Sequence, residues 1–362
     1  MKKKRISYRD FSDGDERKMN DLFNLVFQKE RPLRSWYLKF KKGPEGSAFV
    51  ALLAELQDRT QIVGMYPVLF SRFKVFEKEM LFGLPVEIAV HPDFRSFPLI
   101  YRITRTAAQR SRDGGVQVGL GFPTERHAFI GVRRLGYDSL GEFPILIRHY
   151  RWKIGRGIPF LRKLLNRLFG RALKHYRQAK LRIQSMRIPR DIVTVEVKHF
   201  DEAFELFWEK VKDTFKIMRV RNADYLNWKY FINPEEKFKI YSVRSGHEIR
   251  GYMALIIKED GNLRTGYLYD FLSDEKEETV KSLLYQALSY FIREKADCVK
   301  CGILKSSLLY HHLLRMGFKK SDKTNYIVYE FMVDMVDEAD KELIRNIDHW
   351  HVMLSETDWL GW

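Results

Sequence analysis

Short runs of alternating apolar and polar positions recur along the chain, separated by stretches in which apolar residues return every three or four positions. The first pattern marks half-buried strands and the second amphipathic helices. In the first half the pattern predicts strands at 5–8, 48–55 and 61–70, a hairpin at 72–77 and 79–83, and strands at 86–90, 116–122 and 145–150. Helices are predicted there at 14–28, 98–112 and 124–135. In the second half strands are predicted at 194–199, 238–244, 249–258, 265–272, 298–302 and 326–331, with helices at 202–214, 277–294 and 307–316. Strands and helices interleave in both halves, which implies an α/β chain of the α+β type with mixed sheets.

The halves also echo each other in order. Leu38–Pro44 parallels Trp228–Pro234, and a strand-like run follows each. A second strand then opens on glycine, Gly64 in one half and Gly251 in the other. Near the end of each half a helix stops at a glycine–aromatic pair, Gly136-Tyr137 and Gly317-Phe318. Glycine there is a helix C-cap, where a positive φ is needed. Three shared features in one order argue for a duplicated architecture.

Composition changes this picture little. With 362 residues, 45% hydrophobic and 31% charged, the chain can build a core, and wholesale disorder is excluded. No apolar run reaches the roughly 18 residues of a membrane span, and no apolar stretch follows the basic start MKKKR, so no secretory signal is read. Two cysteines, Cys298 and Cys301, exclude a disulfide framework and fit a cytoplasmic protein. Their C-x-x-C spacing on a strand sends the side chains to opposite faces, which favours a structural role. His311-His312 has no acidic partner nearby in sequence, and no metal is expected.

Charge is more telling. The formal net charge is +17, yet 14 Lys/Arg and no Asp or Glu fall between Phe143 and Arg190. The rest of the chain is close to neutral. Within that segment 158–178 reads as a basic amphipathic helix, with Leu161, Leu164, Leu165, Leu168, Ala172, Leu173 and Tyr176 on one face. It suits a helix packed between domains, a helix docked on an anionic membrane surface, or a nucleic-acid contact. No helix-turn-helix, zinc-finger or RNP-type motif supports the last.

Candidate chemistry begins at Glu87–Arg95, where a strand ends in a short polar loop and a helix starts at once. The free N–H groups and positive dipole end of that helix face whatever lies at the strand tip. Arg95 adds a fixed charge, and Ser96, Phe97, Leu99 and Ile100 can donate, whereas Pro98 cannot. This is how a fold builds a pyrophosphate site. In the second half Trp228, Tyr267, Tyr269 and Asp270 read as cleft walls for a small cation or sugar amine. The tail at 350–359 is too apolar for a free end and is expected to dock on the body, capping the interdomain cleft.

At this point the sequence resembles the GNAT superfamily of acetyl-CoA-dependent N-acetyltransferases. AVHPDFR, residues 89–95, is similar to the end of that family's fourth strand and the start of its phosphate loop. VGLGFPT, residues 118–124, is similar to its fifth strand and following turn, and YLNWKYFINP, GYLYDFL and RMGF carry the resemblance into the second half. The resemblance implies two GNAT-like domains, each a mixed, mostly antiparallel sheet flanked by helices. The expected limits are 1–150, a basic linker at 151–190, a second domain at 191–335 and a tail at 336–362. It implies an acyl-CoA co-substrate, with acetyl transfer to a small or saccharide-linked amine. The same resemblance puts Ala89, Val90 and Thr124 against the co-substrate, Glu87 as general base and Tyr137 as proton donor to the thiolate. The family's loop runs Arg/Gln-x-x-Gly-x-Gly/Ala; here it reads Arg95-Ser96-Phe97-Pro98-Leu99-Ile100, without glycine. The second-half counterpart, Leu272–Glu277, carries three acids, which repel a diphosphate. A catalytically degenerate GNAT-fold binding protein, peripheral to a membrane, and an aminoacyl-tRNA-dependent transferase are the alternative readings.

Overall fold

The computed structural model describes residues 5–44, 49–56, 58, 61–150, 176, 178–183, 185–186, 188–322, 325–332 and 335–358. Most of the basic helix expected over 158–178 therefore lies outside the described residues. The first-half strands are β1 (Ile6–Asp10), β2 (Phe49–Leu56), β3 (Ile62–Val75), β4 (Lys78–Pro85), β5 (Ala89–Val90), β6 (Val118–Gly121), β7 (Asp138–Phe143) and β8 (Ile145–His149). Then come β9 (Ile192–Val197), β10 (Ile217–Arg219), β11 (Lys239–Ser245), β12 (Glu248–Asp260), β13 (Leu263–Ser273), β14 (Cys298–Gly302), β15 (Lys319–Lys320) and β16 (Asn325–Phe331). The helices are α1 (Glu16–Phe27), α2 (Leu33–Phe40), α3 (Phe97–Asp113), α4 (Glu125–Ile130), α5 (Glu202–Val211), α6 (Ala223–Phe231), α7 (Glu277–Arg293), α8 (Leu308–Arg315) and α9 (Glu338–Arg345).

Two mixed sheets result, with helices packed on them. The first runs β1-β2-β3-β4-β6-β16-β7, with β5 and β10 also paired to β3. The second runs β15-β8-β14-β13-β12-β11-β9. Both are antiparallel except at one junction each, β4 with β6 and β13 with β14. The repeat read in the sequence is thus a repeat in space. The motifs Leu38–Pro44 and Trp228–Pro234 each contain the end of a helix, α2 and α6. Gly136 and Gly317 sit at φ +79° and +82° after their helices. Gly251 is forced by packing, because a Cβ there would stand 3.0 Å from the Leu272 carbonyl oxygen.

The halves exchange strands. After β7 the chain leaves the first sheet, and β8 enters the second between β14 and β15. In return β16 enters the first sheet between β6 and β7. The strands expected at 145–150 and 326–331 form, but each belongs to the sheet of the other half. β10 likewise crosses over to pair with the far end of β3, through Ile217 opposite Val75. β3 is one continuous strand, where the polar Ser71-Arg72 step predicted a break, because β4 pairs straight across that step, Ser71 opposite Phe82 and Arg72 opposite Leu81. The largest apolar core joins Phe73, Phe82 and Phe143 to Phe204, Tyr252 and Trp350, so it too is shared by both halves.

The strand expected at 86–90 shrinks to Ala89–Val90 because Glu87 is left-handed, at φ +50°. β7, β10, β15, α2 and α6 are elements the periodicity did not mark. Each is short or draws its partner from distant sequence. Both cysteines are buried and unbridged. Among the described residues, no group of side chains could hold a metal ion, and no helix is long and apolar enough to cross a membrane.

Candidate active site

The site is opened by a failure of pairing. β4 and β6 run parallel but pair only at Phe82–Val118 and Gly83–Gly119. Beyond that point β4 meets Pro85, which has no N–H for a ladder, and then the left-handed Glu87. The two strands splay apart. Helix α3, which starts just past β5, leans over the gap. A cleft of about 1170 Å³ results, lined by Leu84, Pro85, Val90, Ile100, Gly121 and Tyr137 among others.

At one end lies the start of α3. Ser96 is its N-cap residue and makes no side-chain cap, so the first-turn N–H groups of Phe97 and Leu99 have no acceptor within the helix. Arg95, Ser96 and Phe97 are exposed there and line the cleft mouth with Thr124, Arg126 and His127. One expected donor changes. The Ile100 N–H is committed to the Ser96 carbonyl at 3.2 Å, so only its side chain faces the cleft. The Leu99 side chain turns the other way and packs in the core. Thr124 is the N-cap residue of α4, its Oγ1 3.1 Å from His127 Nδ1.

Midway, Gly119 and Gly121 of β6 pair with Glu330 and Val328 of the exchanged strand β16, and Met332, just beyond that strand, lines the cleft with them. Tyr137 and Tyr66 meet hydroxyl to hydroxyl at 3.0 Å. Burial pushes the Tyr137 phenol up to about 12 and raises Tyr66 further. Glu330 shares this wall and accepts from Arg105. Burial lifts its carboxyl above the ordinary range despite that partner.

The inner end is polar and lies between the halves. Glu87 is buried and accepts from Arg31 and, at 2.8 Å, from Lys39. Against the effect of burial, Lys39 and Arg31 hold its carboxyl below the ordinary range. Lys39 also donates to Asp358 at 2.5 Å, and Asp358 accepts from the Glu87 N–H at 3.0 Å. A second cluster joins Arg221 to Asp270 at 3.1 Å and to Glu356 at 2.5 Å. The tail supplies a carboxylate to each cluster. Residues 350–356 are buried, and Ser355, Glu356, Thr357 and Asp358 line the cleft.

Of the four aromatic and acidic residues expected to form a second-half cleft, only Trp228 lines this one, with its Nε1 donating to the Leu38 carbonyl. Asp270 is fully buried and is claimed by Arg221, Tyr230, Tyr252 and Ser355. Despite burial, Arg221 and the Tyr230 hydroxyl hold it at about 2. Tyr269 is core, and Tyr267 packs beside Lys300 instead. In the second half the segment before α7 is acidic. Ahead of α7, Glu275 accepts from the Leu308 N–H, and Asp274 pairs with Arg250.

Residues 7–139 match the family model described as an acetyltransferase (GNAT) domain. The whole fold is similar to solved structures of low sequence identity. A GCN5-related N-acetyltransferase from Anabaena variabilis is 10% identical with a TM-score of 0.62, covering 90% of this chain and 73% of that one. A probable N-acyltransferase from Enterococcus faecalis is 12% identical at 0.61, with coverage of 90% and 73%. Saccharomyces cerevisiae N-myristoyltransferase, solved with bound myristoyl-CoA, is 13% identical at 0.60, with coverage of 90% and 82%. The chain thus shares the fold of these structures, and its residues 7–139 carry the GNAT-domain match. No curated protein matches it by sequence. Lys39, Lys229, Tyr66, Glu330, Glu356 and Asp358 are cleft residues that no local pattern marked. The near-repeat of the Leu38 and Trp228 motifs was the one available pointer, since Lys39 and Lys229 occupy matching places in it.

Proposed function

We propose that the chain is an acyl-CoA-dependent N-acyltransferase whose single active cleft belongs to the first half. The observation that carries this reading is the continuity of the cleft. One channel runs from unpaired amides and Arg95 at the α3 mouth, past a glycine-lined strand, to a charged inner chamber. An acyl-CoA fits it in order of its parts. Phe97 and Leu99 N–H groups with Arg95 take the diphosphate. The splay beside Gly119 and Gly121 admits a narrow arm, because neither residue brings a side chain of its own into it. The backbone at 88–90 holds the thioester carbonyl, an electrostatic role in a dry site.

The acceptor is a small amine, free or carried on a saccharide, entering from the inner end beside Trp228. Attack on the thioester needs the amine to lose a proton and the leaving sulfur to gain one. Tyr137 gives the proton to sulfur, held by Tyr66. Glu330, lifted by burial toward the working pH, is better matched to accept the amine's proton than Glu87, which two cations hold ionised. The membrane-docked and nucleic-acid readings rest on 158–178 and gain nothing from the described residues.

Thermal denaturation with acetyl-CoA and longer acyl-CoAs tests the reading. Saturation to 100 times Kd adds about 2.7 kcal/mol of stability. No shift at millimolar acyl-CoA, with no thiol released in the presence of a broad amine panel, refutes it.

A further inference from the structure

Among the described residues, the inner chamber carries one more buried cation than it has anions. Arg31 and Lys39 face Glu87 and Asp358, two charges against two. Arg219 and Arg221 face Asp270 and Glu356, again two against two. Lys229, near the end of α6, is the fifth cation. It is 8% exposed and lines the cleft. Among the described residues no carboxylate pairs with it; the Tyr269 ring lies 5.6 Å from its Nζ. Its charged surroundings are Arg219 and Lys39 on one side of the balance and Glu356 and Asp358 on the other, both acids already engaged.

We propose that Lys229 binds the carboxylate of the acceptor, so that the amine acylated here is a zwitterion of the amino-acid type. A buried ammonium without a counter-ion is a standing cost to the fold, and a bound monoanion removes it. The excess is a single charge, which a carboxylate balances and a phosphate dianion overshoots. Trp228, adjacent in sequence, walls the same space and suits an apolar side chain on that zwitterion. Burial, then Arg219 and Lys39, bring Lys229 down to about 8, so it is cationic at neutral pH and responsive to an added anion. The amine half of the inference rests on the acyltransferase reading; the carboxylate half does not.

The full chain, labelled at lysine side chains for NMR and with CoA added, is titrated with phenylalanine and glycine, with their carboxamides, and with inorganic phosphate. Lys229→Met assigns the signal, and Lys229→Arg tests for restored function. The expected result is that free amino acids move the Lys229 midpoint upward from about 8 and the carboxamides do not. In turnover, carboxylate-bearing amines exceed their amides by about 100-fold in kcat/KM, the scale of one buried charge pair. Lys229→Met levels the two, and Lys229→Arg recovers the preference. If only phosphate moves the signal, or nothing does, or Lys229→Met keeps the preference, the inference is overturned. Acyl transfer without carboxylate preference overturns the inference and spares the acyltransferase reading. A Lys229 response to amino acids in a chain that ignores acyl-CoA does the reverse.

Discussion

The hydroxyls of Tyr66 and Tyr137 stand 3.0 Å apart on the wall of the cleft, one from β3 and the other from the turn before β7. Such a pair fixes a phenol in space and gives it a hydrogen-bond partner while its proton is in transit. Tyr137→Phe is expected to lower kcat by about 10²-fold, within the usual range for a positioned general acid, and to leave acyl-CoA affinity unchanged. Tyr66→Phe lowers kcat less, because it only orients. Steady-state rates with parallel calorimetric titration of CoA check both.

Gly119 and Gly121 keep the splay open without strain. A Cβ at Gly121 would meet Val328 at 3.5 Å, and one at Gly119 would meet the mobile end of Met332 at 3.3 Å. Both sites therefore accept a side chain structurally. Gly121→Val is expected to fold with a melting temperature near wild type, yet to lose the thermal shift with acetyl-CoA. A retained shift would move the co-substrate elsewhere.

Glu356 spans two buried arginines, Arg219 and Arg221. Removing its charge leaves them under-compensated in the core. Glu356→Gln is expected to cost about 3–5 kcal/mol in urea denaturation, as for other broken buried ion networks.

Lys229 makes the opposite prediction. Its folded value, about 8, lies below the ordinary 10.5, so between those pH values the unfolded chain binds the proton more readily. Stability then rises with pH across that window and carries the whole cost below it. The difference corresponds to about 3 kcal/mol. Lys229→Met is expected to stabilise the ligand-free protein by up to that amount at pH 7, and to lose its advantage near pH 10. Denaturant curves at the two pH values decide it.

What could be read from sequence was what depends on neighbours along the chain. The cap glycines Gly136 and Gly317 announce themselves, because a positive φ is a local demand. The start of α3 and Arg95 were legible for the same reason, and so was the repeat. The inner chamber was not. Lys39 meets Asp358 across 319 positions, and Arg221 meets Glu356 across 135. Asp270 looked available beside its tyrosines, but Arg221 and Ser355, remote in sequence, had already taken it. Strands 145–150 and 326–331 were visible as strands, whereas the choice of sheet is settled by long-range pairing that no local pattern carries.

The reciprocal placement of β8 and β16 has a bearing on synthesis. While the chain is emerging from the ribosome, the first sheet has a vacancy between β6 and β7 that only Asn325–Phe331 can fill. Glu330 arrives with that strand, and the acids at Glu356 and Asp358 later still. A nascent chain that has not yet reached these residues is thus left with raw strand edges and an open cleft.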